Sequence, residues 1–539
     1  MDKFLYGAAV QGIQSFIFQT NSLKEIIGAS ELVENICTRL FAEMLGKSYD
    51  KLKDDPNAII NAAGNIKYVF ESEEQCRMVF REFPKAVLTL APGITISQAI
   101  VKFSDNDADK DGMSKSDNKA QGKSLSEQIK ALEDKLRSKR NSPLKPLTSG
   151  LMCMQRSRET GLPERWRNGE KYHLKGNTKD THDKDRYTDE STYQKLCAID
   201  KGALWTKATG LNIEKENLRF LRGKQTDNVS YFTGDNDWIA IIHADGNGLG
   251  AIVRELGSKG DCNAFHKFST ILDQSTCEAA RQAFNQVYMD DSRFIPFRPI
   301  VLGGDDLTVI IRGDLAIEFT QCYLEAFEKN TKENFRELSK DYGILSDGLT
   351  ACAGIAFIKS SFPYYYGYSL AEELCGEAKS LSGRKYSCLM FHKVQDSFVA
   401  SYEDIIRREL TTADGESFKF GPYYLDETVG NDWWSIDKLL KTVNKLDGDN
   451  GNAIKSSIRQ WLSAMMERNK SAKANQMLNR LKKLWNSYTE RRLIENLTNG
   501  VNRGDRPNTQ TGDNTKITKC YPAYDVLTLH TIYFQKTKN

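Results

Sequence analysis

The stretch Arg298 to Arg312, in which the apolar arms RPIVL and LTVII enclose Gly303-Gly304-Asp305-Asp306, leaves the chain few ways to fold. Arms rich in β-branched residues on either side of a Gly-Asp tip specify an antiparallel hairpin, so two adjacent carboxylates are carried to its end. Sixty residues before Asp305, the run WIAIIHADGNGLGAIV from Trp238 ends at Asp245-Gly246-Asn247-Gly248 and starts a helix. A continuous apolar run of that length is a strand buried on both faces, delivering polar groups only at its end.

The elements around these two features form an ordered series. A long helix from His266 to Tyr288 precedes the strand Arg298 to Leu302, and the strand Leu307 to Arg312 leads into a helix from Ala316 to Leu338. The strand Leu349 to Phe357, a helix from Ser369 to Ser380 and a short strand Cys388 to Phe391 follow. The same β-α-ββ-α-β order is read near the start: an apolar strand running into a Gly-Ile-Gln turn over residues 4–18, a helix from Leu23 to Leu45, strand-like stretches Ala58 to Phe70 and Val87 to Val101, and the helix Glu73 to Phe83 between them. The expected fold class is α+β, with two ferredoxin-like palm domains. Their expected bounds are 1–105 and 237–398.

Between the palms, residues 106–236 read as a charged linker and polar insertion, turning helical near Leu125 to Leu136, with Leu204 to Leu211 able to pack on a neighbour. Residues 399–539 read as a helical domain, with amphipathic helices Ile436 to Leu446, Ala453 to Met466 and Asn475 to Ile494. Ten Lys or Arg against three Glu make residues 451–496 a basic segment. That pattern fits either a solvated helix face or a contact with phosphate backbone.

Composition narrows the functions. With 75 Lys and Arg against 72 Asp and Glu the chain is nearly neutral, which excludes a wholesale electrostatic grip on nucleic acid. No apolar run approaches the ~18 residues of a membrane span, and the start lacks a basic segment followed by a small-residue cleavage site. A cytoplasmic protein without a membrane partner is expected. Eleven cysteines with no C-x-x-C spacing and only six histidines argue against a disulfide framework and against structural zinc. His243 reads as a core or supporting group, and the His182-Asp183 pair as a poor candidate for a phosphohydrolase.

Asp245, Asp305 and Asp306 are the candidate catalytic and metal-binding residues. Three carboxylates at one sheet edge repel unless a cation sits among them, and hard oxygen donors suit Mg²⁺ or Mn²⁺ in a two-ion site for nucleotidyl transfer. The bland alternatives are a simple hairpin turn for Gly-Gly-Asp-Asp and a helix N-cap for Asp245. Gly303 and Gly304 let backbone approach a phosphate or base, and Gly246, Gly248 and Gly250 resemble a loose phosphate-cradling turn. Lys379, taken by itself, reads as a surface lysine.

The segments YGAAVQGIQSFIFQTNSLKEIIGASELVENI (Tyr6 to Ile36), HADGNGLG (His243 to Gly250), LGGDDLTVII (Leu302 to Ile311), ACAGIAF (Ala351 to Phe357) and AEELCGEAKSLSGRK (Ala371 to Lys385) resemble, in order, the two palms of the large subunit of type III CRISPR effector complexes of Cmr or Csm type. The resemblance implies an antiviral, RNA-guided synthase that converts ATP to an adenylated second messenger, often a cyclic oligoadenylate, when its guide RNA pairs with target RNA. It implies that Asp245, Asp305 and Asp306 bind the metals, that Gly303, Gly304, Gly246, Asn247 and Gly248 lie against nucleotide, and that Lys379 contacts a triphosphate. The implied partners are ATP, other type III subunits, and guide and target RNA held through those subunits; S-adenosylmethionine is an alternative acceptor.

Departures from that family qualify the expectation. The palm starts at residue 4, where many relatives begin with an HD nuclease domain, so no associated DNA cleavage is expected. Only Cys153 stands at the place of a zinc ribbon, with Arg156 three residues on, and Asn247 stands where Asp is frequent, which bears on the metal count. Ala62-Ala63-Gly64-Asn65 replaces the acidic hairpin in the first palm, which is therefore expected to be catalytically silent. A non-catalytic RNA-binding scaffold and a stand-alone nucleotide cyclase remain as alternatives; Asp306-Leu307 in place of Glu-Phe argues against a diguanylate cyclase.

Overall fold

The computed structural model describes residues 2–62, 64–104, 125–142, 153–157, 160–164, 166–167, 170–171, 173–174, 186–199, 202–211, 238–258, 262–288, 297–342, 345–396, 401–412, 414–427, 429, 433–447, 451–467, 471–484, 488–503 and 518–533. His182 and Asp183 lie outside them. No described helix is long and apolar enough to cross a membrane.

The first sheet contains β1 (Asp2–Gln11), β2 (Ala58–Ala62), β3 (Asn65–Phe70) and β4 (Thr95–Ser104) in the order β2-β3-β1-β4. β1 runs antiparallel to both neighbours, with Phe4 level with Phe70 on one side and Lys102 on the other. Side chains alternate across a strand, so Tyr6 and Gly7 face opposite layers. On the Tyr6 face stand Phe41, Phe70 and Phe80, the last from helix α2 (Glu73–Leu90), which follows α1 (Leu23–Asn35). On the other face a Cβ at Gly7 would lie 2.7 Å from Leu132, so the missing side chain lets helix α3 (Leu125–Arg140) lie directly on the sheet.

That contact corrects one expectation. Leu125 to Leu136 was expected within a solvated linker, yet Ile129, Leu132 and Leu136 are buried against β1 and β4. Its charged residues occupy the outer face of an amphipathic helix. The strand expected from Val87 to Val101 also differs: Cys76, Val79, Phe83 and Val87 repeat at helical spacing, so α2 runs to Leu90 and the strand starts only at Thr95. Ala58 to Phe70 forms a hairpin that turns at Gly64. The helix expected from Leu23 to Leu45 contains a π-type turn at Ile36–Leu40.

Two helices of the inter-palm segment, α4 (Glu190–Ala198) and α5 (Ala203–Thr209), pack against α1. The second sheet repeats the first. It comprises β5 (Trp238–Gly246), β6 (Phe297–Gly303), β7 (Asp306–Arg312) and β8 (Ala351–Lys359) in the order β6-β7-β5-β8, extended by β9 (Cys388–Lys393) and the two-residue β10 (Tyr423–Tyr424). Helices α6 (Leu249–Ser258), α7 (Cys262–Val287), α8 (Ala316–Asn334) and α9 (Tyr364–Leu381) cover it. The helix expected to continue to Leu338 breaks at Phe335, whose ring is fully buried.

Beyond this sheet the chain is largely helical, with α10 (Tyr402–Glu409), α11 (Ile436–Lys445), α12 (Gly451–Met466), α13 (Ser471–Leu484), α14 (Tyr488–Thr498) and α15 (Ala523–Tyr533). The single helix expected from Asn475 to Ile494 is two, α13 and α14, and a small antiparallel pair, Val501–Arg503 with Thr518–Cys520, stands among the helices. Within the basic segment Lys455 is buried, 3.1 Å from the His530 ring.

Candidate active site

β5 is buried along its length except at His243 and Asp245, which are half buried and share one face by the period of two. The antiparallel register that pairs Leu307 with Ala244 brings Asp306 level with Asp245. One carboxylate oxygen from each of Asp245, Asp305 and Asp306 lies within 4.8 Å of the others. Among the described residues this is the one such group of three His, Cys, Asp or Glu side chains. The residues singled out in the sequence therefore meet, although no local feature of the chain links Asp245 to the hairpin.

Two glycines make the approach possible. A Cβ at Gly246 would stand 3.0 Å from the Cβ of Asp305, so a side chain there would push the hairpin tip off the end of β5. Gly304 turns with φ +62°, in the left-handed region that glycine enters without steric cost. Gly303 closes the ladder opposite Asp306, and the Gly248 carbonyl accepts the N–H groups of Ala251 and Ile252 at the start of α6.

Burial, the hydrogen bond shared with Asp245 and the charge of Asp306 all push the Asp305 carboxyl well above the ordinary carboxylate range. Burial and the Asp245 charge push Asp306 up as well, against the pull of the Lys379 ammonium. Bare carboxylates this close cannot all stay ionised cheaply. Lys379 supplies one counter-charge: its ammonium donates to Asp245 Oδ2 and, at 2.8 Å, to the Gly246 carbonyl. The side chain is only 10% exposed, which corrects its reading as a surface lysine.

Asn247 directly follows the end of β5. Its Nδ2 donates to Thr350 Oγ1 at 3.0 Å and lies 3.4 Å from Cys352 Sγ, so the side chain is engaged at the β8 edge. Its Oδ1 is buried with no hydrogen-bond partner among the described residues.

The wall opposite is built from the first palm. Gln14, in the turn after β1, donates to the Tyr368 hydroxyl at 2.9 Å and to Glu372 Oε1 at 3.2 Å, and Phe18 stacks on Tyr368 at 4.8 Å. His243 stands beside them, 3.1 Å from Thr308 Oγ1 and edge-on to Tyr368, with burial lowering its pKa. Glu372 and Tyr368 were not singled out in the sequence. The signal was present, since Tyr368, Glu372 and Lys379 are spaced by four and seven and lie on one face of α9. The β2–β3 hairpin holds in the first sheet the place of β6–β7 in the second, and it has no carboxylate at its turn.

Two palm-type domains face each other, one with an acidic hairpin at its sheet edge, and this defines the class of the protein. Residues 238–388 match the family model described as Cas10/Cmr2, second palm domain. Among solved structures it is similar to the Csm1–Csm4 cassette in complex with cA4, at TM-score 0.54 and 13% identity over 98% of this chain and 70% of that one. The same cassette in complex with cA3 gives TM-score 0.53 and 12% identity over 98% and 69%. With pppApA the values are 0.51 and 14% over 98% and 69%. At such identity the likeness is one of fold. No curated protein sequence matches.

Proposed function

We propose that this chain is the target-RNA-activated nucleotidyltransferase subunit of an RNA-guided type III CRISPR complex, joining ATP to an adenosine-bearing acceptor with release of pyrophosphate. The observation that carries this reading is the convergence of Asp245, Asp305 and Asp306 at the end of the second sheet. Solved cassettes of the same fold were crystallised with cA4, cA3 and pppApA, which supports an adenylated product.

The donor set suits Mg²⁺ or Mn²⁺: three carboxylates against one lysine leave excess negative charge in a half-buried site. Such ions, held by Asp245, Asp305 and Asp306, would supply charge neutralisation for the triphosphate and a lowered pKa for the attacking hydroxyl. The 3′-hydroxyl oxygen of the acceptor forms a bond to the α-phosphorus, the bond from that phosphorus to the bridging oxygen breaks, and pyrophosphate carries away the electron pair. The hydroxyl proton passes to water or a carboxylate. Gly303 and Gly304 present backbone without a Cβ to the nucleotide, and Gly246 and Gly248 do so at the end of β5. Lys379, which here donates to Asp245, would face the triphosphate if freed from that carboxylate. A second ATP as acceptor gives oligoadenylates, and S-adenosylmethionine gives a conjugate. The first palm, without carboxylates at the turn of its β2–β3 hairpin, serves as a binding wall.

The test is mass spectrometry of products from the assembled complex with matching target RNA, the four nucleoside triphosphates, S-adenosylmethionine and Mg²⁺ or Mn²⁺. An adenylated product that disappears in the Asp305→Ala/Asp306→Ala variant and on chelation is expected. No product from a complex that binds target RNA normally would instead make the chain a scaffold.

A further inference from the structure

The hairpin bearing Asp305 and Asp306 is gripped from behind by side chains that the proposed chemistry does not use. On α7, Asp273 Oδ1 accepts the Gly304 N–H at 3.3 Å, and the Thr276 hydroxyl donates to the Gly304 carbonyl at 2.6 Å. Asp273 and Thr276 are three apart and share a helix face, so both polar groups of this glycine are held at once. Gly304 has no side chain with which packing could fix it, and its backbone is the freest of any residue type. The bonds to its N–H and carbonyl therefore decide where Asp305 is presented.

Asp273 is itself held. Lys207 of α5 donates to Asp273 Oδ1 at 3.0 Å, to the Leu302 carbonyl at 2.9 Å on the other side of the turn, and to Glu34 Oε1 at 3.4 Å. An ammonium has three protons, and these partners use all of them. Burial opposes the charge, but Glu34 and Asp273 outweigh it and hold the ammonium well above its ordinary pKa. Helix α5 is placed by the same first-palm helix that supplies Glu34: the Glu31 carboxylate on α1 accepts the N–H groups of Ala203 and Leu204 at 2.9 and 3.1 Å. Arg281 Nε donates to the Lys207 carbonyl at 3.0 Å and fixes the far side of α5 to α7.

We infer that Lys207 and Asp273 are positioning residues for the acidic hairpin, through which the first palm, by way of Glu34, sets the placement of Asp305 and Asp306. The activity arm of the test rests on the transferase reading above; the exchange arm does not. Hydrogen exchange of peptides covering residues 302–307 should quicken about tenfold in Lys207→Met and in Asp273→Ala, with exchange elsewhere in the second sheet unchanged. In the assembled complex kcat should fall about 10- to 100-fold while the KM for ATP moves less than about threefold, because geometry rather than binding is lost. Lys207→Arg should recover part of the rate, and Lys53→Met, on the same cavity wall, should change neither readout. Unchanged hairpin exchange in both variants, or a rise spread evenly over the second sheet, would overturn the inference. A wild-type complex that makes no adenylated product would sink the transferase reading alone, with the exchange result still deciding the role of Lys207 and Asp273.

Discussion

Replacing Lys379 with methionine removes the ammonium held on Asp245 while keeping most of the apolar stem that packs in α9, so it isolates the charge. Lys379 donates to an oxygen of Asp245, one of the three carboxylates offered to a divalent ion, so lysine and ion compete for the same negative charge. A unit charge roughly 5 Å from a divalent ion costs about 1.7 kcal/mol in a water-like dielectric, and more in a drier site. That lower bound converts to roughly 15-fold in affinity. The Lys379→Met variant is therefore expected to bind Mn²⁺ at least about tenfold more tightly than wild type in nucleotide-free calorimetry. The titration belongs near pH 8.5, because loss of the ammonium also removes a charge that pulls the Asp306 carboxyl down, and protons would otherwise mask the gain. Product formation should fall in the same variant through loss of a cation facing the triphosphate. Mn²⁺ affinity equal to or weaker than wild type would refute the competition, and with it the placing of the ion on Asp245.

Two further outcomes test the packing around the site and the C-terminal core. A Cβ at Gly354 would lie 2.0 Å from the Ala371 carbonyl oxygen, roughly 1.4 Å inside ordinary contact; Gly354→Ala should force α9 off β8 at a cost of about 1–3 kcal/mol or more, seen as a lower unfolding midpoint, and an unchanged midpoint would contradict the direct helix-on-strand contact. Asp525 is buried beneath the Tyr423 hydroxyl at 2.6 Å, and burial, partly offset by that hydrogen bond and by Arg503, raises its pKa to about 7. A raised carboxyl stabilises the fold fully below its unfolded value near 4 and loses that contribution as pH climbs through about 7. Thermal unfolding between pH 5 and 8 should thus show a loss of up to about 2.6 kcal/mol that Asp525→Asn flattens; a variant with the wild-type pH slope would rule Asp525 out as its source.

Much of the second palm was legible because its signals are local. Strands made only of apolar residues, glycines at the turns and paired aspartates between β-branched arms each depend on neighbours a few residues away, and the hairpin with Asp305 and Asp306 formed where expected. Local signals failed where two periods overlap. Val87, Leu88 and Leu90 suit a strand by composition, but Val87 continues the buried helical face begun at Cys76 while Leu88 is exposed, and the helix won because that face was already buried. Leu125 to Arg140 was misread because its charged outer face dominates the composition, whereas three apolar residues decide its packing.

The sequence by itself determined that two α+β units of one topology are present and that one of them carries three carboxylates at strand ends. Alternation and turn chemistry act over a few residues and need no tertiary partner. Only the tertiary structure decided that Lys379 is a buried counter-ion, that Asn247 is engaged at the β8 edge, and that Lys207 ties Glu34 of the first palm to Asp273 behind the hairpin. Those assignments depend on contacts between residues 66 to 173 positions apart, and the distance and desolvation that give such contacts their strength exist only once the chain has closed on itself.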